Sequence, residues 1–173
     1  MTSSPATEPI IRPFADADVA PAAALLRRAA LDFILHESTQ DGARDFLARH
    51  GEDGLRANIA AGFVYHAALA EGELAGFIGV RDRSHVFHLF VGARWQRRGI
   101  ARRLWECARQ AALDAAGAAH PGVFTVNASN HALPFYASLG FVRTAPMQVA
   151  AVLYNPMRLG AAGGAASVLV APA

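Results

Sequence analysis

The sequence predicts an α+β fold in which a mostly antiparallel sheet is flanked by helices, and three observations lead to this prediction. The chain has 173 residues and 18.3 kDa, the size of one compact domain. Apolar side chains recur every three or four residues over 19–36 and 100–116, as they do in amphipathic helices. Residues 63–91, which lie between these segments, have the β-branched and aromatic composition of consecutive strands.

The N-terminal part of the chain predicts one strand and two or three helices. Residues 9–13 are bounded by prolines and predict a short edge strand. Asp16 or Asp18 can cap the helix that follows over 19–36. The more polar segment 39–61 is punctuated by glycines and predicts one or two short helices, which we expect to line the entrance to a site.

The centre of the chain predicts a sheet followed by a helix. Residues 63–70 and 74–80 form a predicted hairpin, and residues 86–91 continue it as a third antiparallel strand. The amphipathic helix over 100–116 is expected to end at Gly117, because glycine accepts the backbone conformation that closes a helix.

The C-terminal part predicts a strand over 123–126, a short helix over 131–138, and a last hairpin that pairs 141–144 with 149–154. Beyond it, the Ala/Gly-rich composition predicts a flexible tail. The organisation is therefore a flexible N-terminal tail, one domain and a C-terminal tail, with bounds at 1–8, 9–159 and 160–173.

Several function classes are disfavoured by composition. The segment Met1 to Glu8 lacks a basic region followed by an apolar one, so no signal peptide is indicated and a cytoplasmic location is expected. The lone Cys107 excludes an intrachain disulfide and any multi-cysteine metal site, and no metal is expected. The long uncharged stretch 115–142 is broken by polar residues and prolines, so no membrane association is expected.

The basic residues are unusual in type and position. All 16 are arginines in a chain of formal net charge +2, and they crowd between Arg94 and Arg109. So small an excess does not support nucleic-acid binding, which needs many cations on one face. The crowding instead points to a small, locally anionic partner.

The crowded segment joins a strand that ends at Val91 to a helix that begins near Ile100. The first N–H groups of a helix have no backbone partner, and with the helix dipole they attract anions. Gly99 permits close approach of a phosphate, and nearby arginines supply charge. These features predict a pyrophosphate site with Arg97, Arg98, Arg102 and Arg103 around it. The alternative is a solvated basic helix face with an incidental glycine.

Two motifs in this region and beyond it resemble those of the GNAT acyl-CoA N-acyltransferases. The run Gln96-Arg97-Arg98-Gly99-Ile100-Ala101 matches that family's central pattern, Gln/Arg-x-x-Gly-x-Gly/Ala, and Val91 stands five residues before it. A second block, an Asn at a strand end followed by a helix with Tyr and then Leu-Gly-Phe, appears from Asn127 through Tyr136 to Phe141. The resemblance extends from Pro9 to Leu159.

The resemblance implies the GNAT fold, with a mixed, mostly antiparallel sheet of six to seven strands flanked by helices. It also implies an acetyl-CoA-dependent N-acetyltransferase that acts on a primary amine of a small molecule or peptide by direct transfer in a ternary complex. A catalytically silent acyl-CoA-binding regulatory module of the same fold is the alternative. A homodimer is possible, because members of the family often pair.

The resemblance further implies which residues hold acetyl-CoA. The main chain of Leu89, Phe90 and Val91 would pair with the pantetheine arm. Asn127 and Asn130 would bind the cofactor at the end of a strand. The pyrophosphate would be held by the segment Gln96, Arg97, Arg98, Gly99, Ile100, Ala101 and Arg102.

For catalysis, Tyr136 occupies the family position whose phenol protonates the coenzyme A sulfur, and a phenol is neutral at pH 7 and can donate a hydrogen bond. Its alternative role is to pack beside Phe135. Many members carry a Glu six residues before Val91, where this chain has His85, whose imidazole titrates near an ordinary pKa of about 6.5. His88 lies on the opposite face of an ideal strand unless a bulge intervenes. The general base is thus left open among His85, His88 and water.

Overall fold

The computed structural model describes residues 8–160, and the predicted tails at 1–7 and 161–173 lie outside the described residues. The described part contains the following elements in chain order: β1 (Ile10–Pro13), α1 (Val19–Phe33), α2 (Gln40–Arg49), α3 (Glu52–Ala60), β2 (Val64–Ala70), β3 (Glu73–Arg81), β4 (His85–Val91), α4 (Ile100–Ala116), β5 (Phe124–Ala128), α5 (Leu133–Ser138), β6 (Val142–Arg143), β7 (Gln148–Val149) and β8 (Leu153–Leu159).

The strands form one mixed sheet in the order β1-β2-β3-β4-β5-β8-β6, with β7 paired to the start of β8. Every neighbouring pair is antiparallel except β4 and β5, which are parallel. The predicted α+β class and mostly antiparallel sheet are therefore confirmed. Two of the eight strands, β6 and β7, contain only two residues each.

The predicted pairing of 141–144 with 149–154 is wrong. Val142 pairs with Arg158 and Arg143 with Met157, so the partner of β6 is the later strand β8. A proline follows shortly after β6, and its ring nitrogen has no hydrogen to donate, which stops the strand after two residues. The residues 148–149 form their own short pairing with Tyr154 and Leu153.

The sheet carries apolar side chains on both faces, because successive residues of a strand point to opposite sides. In β3, Phe77 belongs to the cluster that includes α1, whereas Ile78 belongs to the cluster that includes α4. Both side chains are fully buried. Two apolar layers therefore cover the sheet. No helix within residues 8–160 is long and apolar enough to cross a membrane.

The helix α4 buries one stripe of side chains against the sheet. Its buried positions are spaced by one to four residues and fall on one face: Ile100, Leu104, Trp105, Ala108 and Ala112. It begins after Gly99 and ends at Gly117, both of which have positive φ, 78° and 54° respectively. Glycine adopts such angles without the steric penalty that a Cβ brings. The prediction that this helix ends at Gly117 is confirmed.

The parallel neighbours β4 and β5 stay together for only two residue pairs. His85 pairs with Thr125 and Val86 with Val126, and beyond these positions the strands separate. On its other side, β4 pairs with β3 along its whole length, but Gly79 pairs with His88 while Val80 pairs with Val86. Phe87 is therefore the extra residue of a β-bulge. The result is a wedge-shaped opening in the middle of the sheet.

Candidate active site

A cleft of about 400 Å³ lies where β4 leads into α4, and we call it the α4 cleft. Most of the residues predicted to hold a pyrophosphate and pantetheine line it. They are Leu89, Val91, Gln96, Arg97, Gly99, Ile100, Ala101 and Arg102. Its remaining wall is formed by Trp95, His131, Ala132, Phe135 and Tyr136.

The backbone of the loop before α4 brings the start of the helix to this cleft. Arg97 and Gly99 both have left-handed φ angles, 59° and 78°, which reverse the chain between strand and helix. The Nε2 atom of Gln96 donates a hydrogen bond of 3.1 Å to the carbonyl of Val91 and closes the loop. A Cβ built on Gly99 would meet no protein atom within 4 Å, so the space beside it is open.

The start of α4 has the properties of an anion site. The first bond of the helix runs from the Arg103 N–H to the Gly99 carbonyl at 3.0 Å. The N–H groups before Arg103 therefore have no partner within the helix. Together with the positive end of the helix dipole, such groups bind phosphate and other anions.

Only some of the crowded arginines lie at the α4 cleft. Arg97 and Arg102 line it, and the Arg102 side chain also lies 3.4 Å from the Ser138 hydroxyl. Arg98 does not line the cleft, because its guanidinium lies over the Trp95 ring at 5.1 Å from the ring centre. The predicted contact of the Arg98 side chain with a pyrophosphate is thus not brought about in this structure.

Arg94 is directed away from the cleft. Its guanidinium forms ion pairs with Glu71 at 2.8 Å and Glu73 at 3.0 Å, and it lies 4.3 Å from the centre of the Trp95 ring. The arginine crowd in the sequence therefore divides into a pair at the cleft and others that hold neighbouring loops.

A second, smaller cleft of about 120 Å³ lies in the wedge between β4 and β5, and we call it the wedge cleft. Its walls come from the end of α1, from α2, β4, β5 and α5, and from the segment that enters β8. Phe90 and Asn127, both predicted to contact the cofactor, line it. Most of the other lining residues are apolar, and none of them carries a carboxylate: Ile34, Phe46, His50, Val86, Phe87, His88, Leu89, Val126, Ala128, Ser129, Ala132, Tyr136, Val152, Leu153 and Tyr154.

Three residues line both clefts, so the two openings meet at Leu89, Ala132 and Tyr136. Tyr136 is only 4% exposed and is held between Phe135 and Phe141, with ring centres 5.3 and 5.4 Å away. Burial alone raises the pKa of its phenol above the ordinary value, so the phenol is protonated at neutral pH.

His85 lies outside both clefts. Its Nδ1 atom is 2.8 Å from the Thr125 hydroxyl, at the point where β4 and β5 are still paired. Burial, and secondarily the charge of Arg81, lower the pKa of its imidazole. The bulge at Phe87 places His88 on the same face as His85, so the bulge does change the face that an ideal strand would give His88.

Asn130 also lines neither cleft. Its side-chain amide donates to the Glu37 carboxylate at 3.1 Å, and its carbonyl oxygen accepts a bond of 2.9 Å from Asn155. Asn155 is fully buried and also donates to the Ala128 carbonyl. The side chain of Asn130 thus joins the end of β5 to β8 and to the turn after α1.

A chain of hydrogen bonds, which the sequence did not predict, leads from the wedge cleft into the core. Nδ1 of His50 lies 2.8 Å from Nε2 of His88, and Nδ1 of His88 lies 3.0 Å from the Tyr65 hydroxyl. The Asn58 amide donates to the same hydroxyl at 3.2 Å. We call these four residues the histidine network. The only advance signal was the expectation that 39–61 lines the entrance to a site.

Burial controls the protonation of the histidine network. It lowers the pKa of His50 to about 4, with a smaller contribution from the charge of Arg49. His88 is 2% exposed, and burial lowers its pKa well below the ordinary value. Burial raises the pKa of Tyr65 to about 12. Both imidazoles and the phenol are therefore neutral at pH 7.

Within residues 8–160, no three His, Cys, Asp or Glu side chains are grouped so that they could hold a metal ion. The chemistry of the site therefore has to be argued from the two clefts and the histidine network.

The chain belongs to the GNAT acetyltransferase family. The sequence model of the acetyltransferase (GNAT) domain matches residues 34–160, which is more than half of the chain. No curated protein matches the sequence.

Similar solved structures have the same fold. A GCN5-related N-acetyltransferase from Rhodopseudomonas palustris is 19% identical, with a TM-score of 0.73, covering 92% of this chain and 100% of that one. The PaiA N-acetyltransferase from Thermoplasma acidophilum, solved with coenzyme A, is 13% identical, with a TM-score of 0.73 and coverage of 90% and 100%. The YncA protein of Salmonella typhimurium, solved with acetyl-CoA, is 22% identical, with a TM-score of 0.64 and coverage of 95% and 100%.

Proposed function

We propose that the protein transfers the acetyl group of acetyl-CoA to a primary amine of a small molecule or peptide, directly within a ternary complex. The observation that carries this proposal is the meeting of the two clefts at Tyr136. A donor bound in the α4 cleft and an amine bound in the wedge cleft would bring their reacting atoms to this one place.

The residues of the α4 cleft fit acetyl-CoA. The unpaired N–H groups at the start of α4 suit the pyrophosphate, and Arg97 and Arg102 supply positive charge at its border. The space beside Gly99 leaves room for a phosphate to approach the backbone. From there the cleft continues past Val91 to Leu89, which suits the extended pantetheine arm. Coenzyme A or acetyl-CoA in the solved relatives supports the same donor.

Tyr136 is proposed as the acid of the reaction. As the amine nitrogen bonds to the thioester carbonyl carbon, the carbon–sulfur bond breaks and its electron pair leaves on sulfur. The sulfur takes the phenolic proton, and Tyr136 regains a proton from the pool released by the amine nitrogen. Because burial keeps the phenol protonated, the proton is available at the start of each turnover.

The wedge cleft favours an amine with an apolar substituent. Its lining is mostly aliphatic and aromatic and contains no carboxylate to pair with a second ammonium group. An ammonium ion loses its hydration on entering such a space, whereas a neutral amine loses less. Amines that carry one basic nitrogen on an apolar chain are therefore the expected acceptors, in preference to polycations.

Two measurements test the proposal. Isothermal titration of acetyl-CoA into the protein should detect binding, and thiol release should be seen with some members of a panel of primary alkylamines, arylalkylamines and peptide N-termini. Binding without turnover on any amine would instead identify an acyl-CoA-binding regulatory module. Absence of binding at concentrations well above the micromolar range would remove both functions.

A further inference from the structure

We propose that His50 is the general base of the transfer, and that His88 and Tyr65 are positioning residues that hold its ring in the proton-accepting form. This inference rests on the proposed function and adds to it a base that lies outside β4. His50 is the residue directly after α2, and it reaches the site only through the fold.

The first support is position. His50 lines the wedge cleft, whereas the sequence-predicted base His85 does not. The ring of His50 lies against Phe46 and Phe87, with ring centres 4.2 and 5.8 Å away, so its orientation is fixed by packing. Tyr136 lines the same cleft from α5. The proposed acid and the proposed base therefore border one small space.

The second support is the unequal use of the two ring nitrogens. Nδ1 of His50 is bonded to His88 at 2.8 Å. Its Nε2 atom is not among the buried side-chain atoms of the described residues that have no partner, and no hydrogen bond within residues 8–160 involves it. This nitrogen is therefore accessible, and it is the one that can accept a proton from an acceptor amine.

The third support is the hydrogen-bond chain behind His50. When Nδ1–H of His50 donates to His88, and Nδ1–H of His88 donates to the Tyr65 oxygen, the lone pair of His50 lies on Nε2. The buried ring of His88 and the Tyr65 hydroxyl are placed to favour this tautomer. A proton taken up at Nε2 turns the Nδ1–H bond into a charge-assisted one, which strengthens it. His50 also lies at the C-terminal end of α2, where the helix dipole favours a positive ring.

The proton balance is complete without any further reactant. The amine enters in its neutral form, and its nitrogen attacks the thioester carbonyl carbon. The nitrogen then loses one proton to Nε2 of His50, while the departing sulfur gains one from Tyr136. One proton moves from His50 through solvent to the phenolate, and both groups return to their starting states.

The titratable and charged groups that face the pair determine its pH behaviour. They are Tyr65 from β2, Tyr136 from α5, Tyr154 from the start of β8, and Arg49 from its own helix. None of them is a carboxylate, so nothing raises the affinity of the pair for protons into the neutral range. We therefore expect kcat/KM to rise with the fraction of neutral amine and to show no separate step near the ordinary histidine pKa.

The experiment measures the pH dependence of thiol release for the full chain with two acceptors of very different basicity, 2-phenylethylamine and 2,2,2-trifluoroethylamine. In the wild type, the pH at which kcat/KM rises should follow the basicity of the amine. In His50→Asn, whose amide can keep the bond to His88 but cannot titrate, the plateau of kcat should fall by about 10²-fold or more. The acetyl-CoA affinity and the melting temperature should stay as in the wild type.

Three further variants complete the test. Tyr65→Phe should lower the kcat plateau by a smaller factor than His50→Asn, without a change in the KM for acetyl-CoA. His85→Asn, and the distant control His120→Asn, should keep the plateau within about twofold. The inference is overturned if His50→Asn retains the wild-type plateau, if His85→Asn loses it instead, or if acetyl-CoA affinity falls together with the rate. A wild type that binds acetyl-CoA but acetylates no amine overturns the proposed function itself, and the inference with it.

Discussion

Replacement of Tyr136 by phenylalanine removes a single oxygen atom at the junction of the two clefts. The ring is 4% exposed and held between two aromatic neighbours, so the packing is kept. Burial is the only cause of the raised pKa, which indicates that no hydrogen bond within the described residues is lost with the hydroxyl. We therefore expect the free energy of unfolding to change by about 1 kcal/mol or less.

The effect of Tyr136→Phe on the rate should be far larger than its effect on stability. Loss of a positioned general acid lowers kcat by about 10²- to 10⁴-fold. At about 1.36 kcal/mol per decade, this corresponds to roughly 2.7 to 5.4 kcal/mol of transition-state stabilisation. The affinity for acetyl-CoA should be unchanged, because the pyrophosphate contacts lie at the other end of the α4 cleft.

The assay combines thiol release at saturating donor and acceptor with urea denaturation and titration of acetyl-CoA. In the wild type, kcat should show no alkaline decline below about pH 10, because burial raises the pKa of the phenol above its ordinary value. A Tyr136→Phe variant that keeps kcat within a factor of three would refute the assignment of the acid. A variant that loses acetyl-CoA affinity in proportion to kcat would show that the phenol binds the donor.

Three other changes have defined outcomes. Gly99→Ala places a Cβ on a residue with φ 78° and should lower the free energy of unfolding by about 1 to 2 kcal/mol and weaken acetyl-CoA binding, as seen by denaturation and titration; unchanged stability would contradict the strain argument. Asp18, whose pKa is lowered from 3.8 chiefly by its hydrogen bond from Arg12, stabilises the fold above about pH 4 and loses this contribution as the pH falls further. Melting temperatures between pH 6 and 3 should therefore fall more steeply in the wild type than in Asp18→Asn, and parallel curves would exclude the pair as a cause. Asn155→Ala, which removes buried bonds to Asn130 and the Ala128 carbonyl, should cost about 1 to 3 kcal/mol in urea denaturation, and a smaller loss would mean that water replaces those bonds.

The parts of the fold that depend on neighbouring residues were predictable from the sequence. The stripe of α4 and its closing Gly117 follow from a local pattern, and so does the hairpin of β2 and β3. The loop before α4 was recognisable because its glycine and the strand before it stand at a fixed spacing. In each case the information lies within about 20 residues of sequence.

The parts that depend on distant pairing were not predictable. The bulge at Phe87 exists only because β3 and β4 change register, and it determines the face on which His88 lies. His50 and His88 are 38 positions apart, so their contact requires α2 to pack against the sheet. Asn130 looked like a cofactor ligand, but its partner Glu37 is 93 positions away. Arg94 likewise meets its acidic partners only once the β2–β3 turn is formed.

The wedge between β4 and β5 separates two kinds of evolutionary constraint. Its donor side is built largely from peptide groups, which every amino acid possesses, so substitutions there are tolerated where they respect the left-handed turn at Arg97 and Gly99. This accounts for a shared architecture among solved relatives that are only 13% to 22% identical to this chain. The acceptor side is built from side chains contributed by α2, β4 and the entry to β8. We expect that side to diverge freely, so that new amine specificities arise on a scaffold whose donor chemistry is inherited unchanged.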